Sequence, residues 1–244
     1  MPIFRRSGRT TLGLTLVTAA IAAPAFAGSL DLQISVASEE VFRGVVQNNS
    51  PTAALRIDFR TASRVYVGSR VLNNRSAGDA QVDLYAGYAR SLIAFDLIPV
   101  GLNGGINVHL YTGDRRGPQG RDLDWAETYG SVDAGPARFS IAVAPDYFGT
   151  GAVGWRAAGR LRWPLTSDLE GTATLGWNDG EGLRRYTAPR GSGVAHADYS
   201  VALTQTLPHG FAVFGEITGA TRTLDTSARP RLLLGIHWRW GRQV

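Results

Sequence analysis

From Gly28 onward, apolar and polar residues alternate along the chain in short runs, and a period of two marks strands with one apolar and one polar face. Leu30, Leu32, Ile34 and Val36 are interleaved with Asp31, Gln33 and Ser35. The same alternation returns over Leu55–Phe59, Val65–Val71, Val82–Tyr88, Leu102–Leu110, Trp125–Val132, Phe139–Val143, Val153–Trp163, Leu169–Trp177, Tyr199–Leu203, Phe211–Ile217 and Leu232–Trp240. Twelve strands are predicted, an even number, as in single-chain bacterial membrane barrels.

The connections carry a second rhythm. They centre on Glu39–Pro51, Thr61, Asn73–Asp79, Ser91–Pro99, Gly113–Asp122, Gly135-Pro136, Asp146–Gly151, Pro164–Ser167, Asp179–Ala195, Pro208-His209 and Gly219–Arg229. Odd connections are mostly long and even ones mostly tight; the fourth breaks the rule. A soluble sandwich also alternates in polarity, but long loops at one end and turns at the other are the layout of an outer-membrane β-barrel. The expected fold is therefore all-β, a single antiparallel up-and-down transmembrane β-barrel of about 12 strands with both termini periplasmic. Tyr88, Trp155, Trp163, Trp177, Trp238 and Trp240 fall on the outward face near strand ends, where aromatic girdles meet the lipid headgroups.

Residues 1–27 read as a signal peptide. Arg5, Arg6 and Arg9 precede the apolar run Thr11–Ala22, and Ala25-Phe26-Ala27 is a small-x-small cleavage pattern. The run is too short for a membrane helix, and a Sec-type export signal suits a barrel that must cross the inner membrane unfolded. Residues 28–244 then form the barrel domain. All 25 basic residues are arginine, and without the three in the leader the chain is near charge balance against 20 acids. The basic balance is thus no argument for a nucleic-acid partner. With no cysteine, disulfides are excluded and the barrel must be held by sheet closure and burial.

Several blocks resemble a known family. Ser38-Glu39-Glu40-Val41-Phe42-Arg43-Gly44-Val45-Val46-Gln47 is similar to the opening signature of the TorF family of bacterial porins. Val82–Tyr88, Ala126-Glu127-Thr128-Tyr129, Ala144-Pro145-Asp146-Tyr147-Phe148 and Ala197-Asp198-Tyr199 are similar to its later blocks. Glu40 stands where that family usually has Tyr, and Val46 where Ser is common. The last aromatic, Trp240, is followed by four more residues, whereas many barrels end on the aromatic that assembly machinery reads. The resemblance implies an outer-membrane, porin-like barrel with no settled substrate.

The inward face supplies the candidate chemistry. Arg156, Arg160 and Arg162 form a stripe of positive charge on one strand, opposed by Asp58, Asp83, Glu127, Glu170, Asp198 and Glu216. Two readings follow: a narrow aqueous pore biased toward small anionic or zwitterionic solutes, or an interior salt-bridge network that fills the barrel. Arg43-Gly44 either folds inward as a constriction or ends the first strand. Asp146-Tyr147 reads as a turn and girdle device ahead of a ligand site.

Two other function classes are weighed against the pore. A receptor or adhesin would use the loop Asp179–Ala195, with Arg184, Arg185, Tyr186 and Arg190. A barrel hydrolase would need a His beside a nucleophile or activated water. Of the four histidines, His109 and His237 are placed on inner faces, His109 with Asp114 nearby, while His196 and His209 lie in connections; no serine sits in a nucleophile context. An enzyme is therefore not expected. Neither a cofactor motif nor a close His pair for a metal is present, and Gly101–Gly105 sits within a strand pattern. The implied partners are the outer-membrane bilayer, small polar solutes and the barrel-assembly machinery.

Overall fold

The computed structural model describes residues 28–74, 80–94, 98–113, 122–187, 194–221 and 229–243. The expected signal peptide, residues 1–27, lies outside the described residues, as do Asp114 and Arg190.

The strands are β1 (Gly28–Ala37), β2 (Glu40–Phe42), β3 (Val45–Asn48), β4 (Thr52–Thr61), β5 (Val65–Asn73), β6 (Ala80–Ala94), β7 (Ile98–Tyr111), β8 (Trp125–Ala134), β9 (Ala137–Ala144), β10 (Gly154–Pro164), β11 (Leu169–Asp179), β12 (His196–Thr206), β13 (Phe211–Ala220) and β14 (Arg231–Gln243). A short helix, α1 (Glu181–Thr187), follows β11. Twelve strands close into an antiparallel barrel in which each pairs with its sequence neighbour and β1 also pairs with β14. The hairpin β2–β3 stands outside this order.

Alternation in the sequence becomes sidedness through the register. Leu32 is flanked by Ile57 on β4 and Trp240 on β14, and Ile34 by Leu55 and Trp238, so apolar rows run around the outside. That face has no protein cover: Ile106, Phe139, Leu175 and Ile217 are all more than half exposed. An uncovered apolar band closed on itself is what a membrane requires of a β-structure, since closure satisfies every backbone group. Tyr88, Trp163, Trp177 and Trp240 lie in this outward set.

The irregular fourth connection is corrected. Ser91–Ala94 continue β6, and Ile98 and Pro99 begin β7, with Ile93 opposite Pro99. Asp96 and Pro99 read as breakers, but proline is tolerated at a strand's start, where no ladder bond is lost. The connection shrinks to residues 95–97, and the alternation of long and short ends becomes regular. Among the described residues, three long connections also hold structure that the hydrophobic period missed: β2–β3 lies within 38–51, a 3-10 turn spans Tyr147–Gly149, and α1 lies within 180–195.

Inside, paired glycine and tyrosine shape the wall. Gly68 faces Tyr85, Gly87 faces Tyr66 and Gly105 faces Tyr129 across adjacent strands. A Cβ on Gly68 would stand 2.4 Å from the Tyr85 ring, so the missing side chain is the slot in which the ring lies. The Tyr66 hydroxyl meets the Tyr129 hydroxyl at 2.6 Å and donates to Asn103 Oδ1 at 2.6 Å, while Tyr85 donates to Asp58 Oδ1 at 2.6 Å.

Candidate functional site

The first long connection turns into the lumen. β1 leaves at Ala37 opposite Thr52 of β4, and between them β2 and β3 pair through Phe42 and Val45. The two turn residues, Arg43 (φ 52) and Gly44 (φ 76), both adopt left-handed backbone, as a two-residue hairpin turn demands. Glycine takes this conformation freely, but for Arg43 it costs of order 1 kcal/mol. Gly44 is also fixed by space, because a Cβ there would lie 2.5 Å from the Gly219 carbonyl oxygen on β13. Arg43-Gly44 is therefore the tip of an inserted hairpin and does not end the first strand.

The Arg43 side chain is one-tenth exposed, and its guanidinium donates to Glu127 on β8 at 2.5 Å. It also lies over Phe42 (4.7 Å), Trp125 (5.6 Å) and Tyr147 (6.0 Å). Removing a guanidinium from water is costly, and a paired carboxylate with three ring faces is what offsets it. Across the lumen, His196 Nε2 donates to the Arg43 carbonyl at 3.4 Å.

From Glu127 a chain of charges runs along the wall. His109 on β7 has Nε2 3.6 Å from Glu127 Oε1 and Nδ1 2.7 Å from Asp83 Oδ1 on β6. Asp83 lies 3.9 Å from Arg70 on β5, and Arg70 grips Glu40 with bonds of 3.1 and 3.2 Å. Consecutive strands β5 to β8 thus contribute one charged or titratable group each, and both ends of the chain, Glu40 and Arg43, belong to the hairpin. Desolvation raises the Glu40 carboxyl above its ordinary value, against the opposing pull of Arg70. His109 is further held by stacking on Trp125 at 4.2 Å between ring centroids.

The remaining predicted residues separate into pairs. Arg156 donates to both oxygens of Asp198 (2.9 and 2.7 Å), and Asn178 adds a third bond at 2.7 Å. Arg162 sits 3.4 Å from Glu170, both well exposed. Asp58 is gripped by Arg56. Arg160 makes no ion pair among the described residues. Glu216 lines a cavity of about 200 Å³ with Glu40, Arg70 and His237. Asp146 accepts the Gly151 amide at 2.6 Å, which makes it a turn device. Tyr147 is buried in an aromatic cap with Phe148, Trp125, Leu183 and Leu123, and burial pushes its hydroxyl up to about 12.

Sequence reasoning missed Arg70, the link between His109 and its carboxylates, and the tyrosine wall. Each has inward parity along its strand, but its partner is set by cross-strand register. It also missed Arg56, Arg60, Arg138 and Arg239. These line, with Asp31, Asp58 and the three tyrosines, a cavity of about 500 Å³ at the short-turn end. A further space of about 360 Å³ adjoins it through Asn103, Tyr129 and Arg138 and reaches Arg43, Arg156 and Arg160.

The closed twelve-strand antiparallel barrel is shared in fold with solved outer-membrane porins. The KdgM porin solved in complex with disordered oligogalacturonate is 12% identical, with a TM-score of 0.54 over 86% of this chain and 98% of that one. The NanC porin is 11% identical, with a TM-score of 0.52 over 88% of this chain and 99% of that one. At these identities the likeness is one of fold. The chain belongs to the Gcw_chp family, described as bacterial proteins of unknown function, whose model matches residues 21–231. No curated protein matches the chain.

Proposed function

We propose that the protein is an outer-membrane, porin-like channel for passive diffusion of small polar solutes, with a preference for anionic or zwitterionic ones. The observation that carries this reading is the hollow, arginine-rich lumen. The cavity at the short-turn end holds Arg56, Arg60, Arg138 and Arg239 against Asp31 and Asp58, and Arg160, without an ion pair among the described residues, brings a further charge to the adjoining space. Two of these arginines are neutralised, Arg56 by Asp58 and Arg138 by Asp133. The remainder leaves an excess of positive charge between low-dielectric walls, which concentrates anions. The stripe Arg156, Arg160 and Arg162 acts within this field mainly through Arg160, since Arg156 is committed to Asp198. The hairpin tip with Arg43, Gly44 and Glu127 is the constriction.

The remaining features follow from this reading. The leader 1–27 directs export, the short turns and both termini face the periplasm, and the barrel-assembly machinery inserts the chain. The TorF-like blocks support the same assignment, because Arg43, Gly44, Asp83, Glu127, Tyr147 and Asp198 all lie in them. The test is single-channel conductance and reversal potential of the refolded protein in a potassium chloride gradient. Anion-selective steps, weakened in Arg160→Gln with Arg162→Gln, are expected. A folded barrel that never conducts, or one that selects cations, overturns the proposal, and the silent case returns the protein to a surface-receptor role.

A further inference from the structure

The outward wall contains a furrow that the barrel itself does not explain. Gly104 on β7 and Gly130 on β8 sit directly opposite each other on the lipid-facing side. The inward glycines leave room for tyrosine rings, but these two serve no such purpose. A Cβ on Gly104 would meet its nearest neighbour at 3.5 Å, and one on Gly130 at 3.8 Å, both ordinary contacts. Neither has the positive φ that would demand glycine. Their lack of side chains opens an apolar furrow of about 820 Å³ walled by Tyr88, Leu102, Val132, Phe139 and Ile141. Phe139, nearly two-thirds exposed, stands as its ridge.

At the short-turn end this furrow is lined by a cation. Arg90 shares the outward face of β6 with Tyr88 and Leu92. A charge facing lipid is costly unless it lies at the interface and finds a partner. Among the described residues Arg90 has no ion pair.

We infer that this furrow is a binding site for one glycerophospholipid, an acyl chain lying over Gly104 and Gly130 and the phosphate held by Arg90. Charge selects this occupant over a second copy of the chain, because a guanidinium with no ion pair among the described residues at the mouth of an apolar slot matches an anionic headgroup above a hydrocarbon tail. The leaflet follows from the orientation proposed above, with the short turns periplasmic.

Native mass spectrometry of the refolded full-length barrel in non-ionic detergent, with dioleoylphosphatidylglycerol added, tests the site. One lipid should remain bound at activation energies that strip the others. Arg90→Gln should weaken retention roughly tenfold, the scale of one lost charge-assisted bond. Gly130→Leu should fill the furrow and abolish retention. Heat-modifiable gel mobility reports folding in each variant, and unchanged conductance separates failure of this site from failure of the channel reading. The inference is overturned by equal retention in Arg90→Gln, by equal retention of uncharged diacylglycerol, or by preference for lipopolysaccharide. Dimers lost in Gly130→Leu would also overturn it, by assigning the furrow to a second copy.

Discussion

Arg43 and Glu127, 84 positions apart in the chain, meet at 2.5 Å inside the barrel, the first at the tip of an inserted hairpin and the second on the wall. Arg43→Ala should leave the Glu127 carboxylate buried beside His109 without its main partner. The expected loss is about 3 kcal/mol, read as a fall in the urea midpoint, together with a larger single-channel conductance. Adding Glu127→Gln should recover part of the stability, so the double variant costs less than the two single ones together.

The lumen charges should act with opposite signs. Arg60→Gln should lower anion preference and Asp31→Asn raise it, since both line the same cavity. Each should change the permeability ratio roughly twofold, the scale of a unit charge acting through about 8 Å of water. Reversal potentials in a salt gradient read both, and a shift of the same sign in the two variants would contradict the proposed field.

Glycines on the two faces of the wall should differ in tolerance. Gly68→Ala pushes a methyl into the Tyr85 ring and should cost about 1–3 kcal/mol. Gly159→Ala faces outward with its nearest neighbour at 3.8 Å and should be neutral or stabilise by about 0.5 kcal/mol. Equilibrium unfolding in urea compares them, and Gly68→Ala combined with Tyr85→Ala should restore part of the loss.

Phe148 is 1% exposed and holds a left-handed backbone (φ 50) beneath the aromatic cap. Its ring stacks on Tyr186 of α1 at 4.4 Å. Phe148→Ala should cost about 3–5 kcal/mol. The same change should speed tryptic cleavage after Arg184 and Arg185 while leaving the strands protected.

The period of two made the barrel legible because each strand turns one face to lipid and the other to the polar lumen. Strand parity placed Asp83, Glu127 and Asp198 on the inward face for the same reason. Parity carries no register, however, and the pairing of Arg70 with Glu40 or of His109 with Asp83 depends on which residues lie abreast. The β2–β3 hairpin was illegible as strand because it has seven residues in two pieces. Arg43-Gly44 did carry a signal, a flexible residue after a bulky one, but that fits a strand end as well as a hairpin tip. The β6–β7 connection failed in the other direction: Asp96 and Pro99 look like a loop, yet β6 runs on to Ala94 and β7 begins at Ile98.

The charge chain from Glu40 to Arg43 has a consequence for the order of assembly. Its wall partners come from β5, β6, β7 and β8, four neighbouring strands that follow the hairpin and β4 in sequence. An open sheet ending at β8 already holds every one of them. The hairpin can therefore dock while the barrel is still a curved sheet, and the later strands wrap around an occupied interior. The bond from His196 to the Arg43 carbonyl and the pair of Glu39 with Arg231 form only as the far side arrives. Seam formation between β1 and β14 would then seal a filled lumen, sparing the protein the task of threading a charged loop into a finished cylinder.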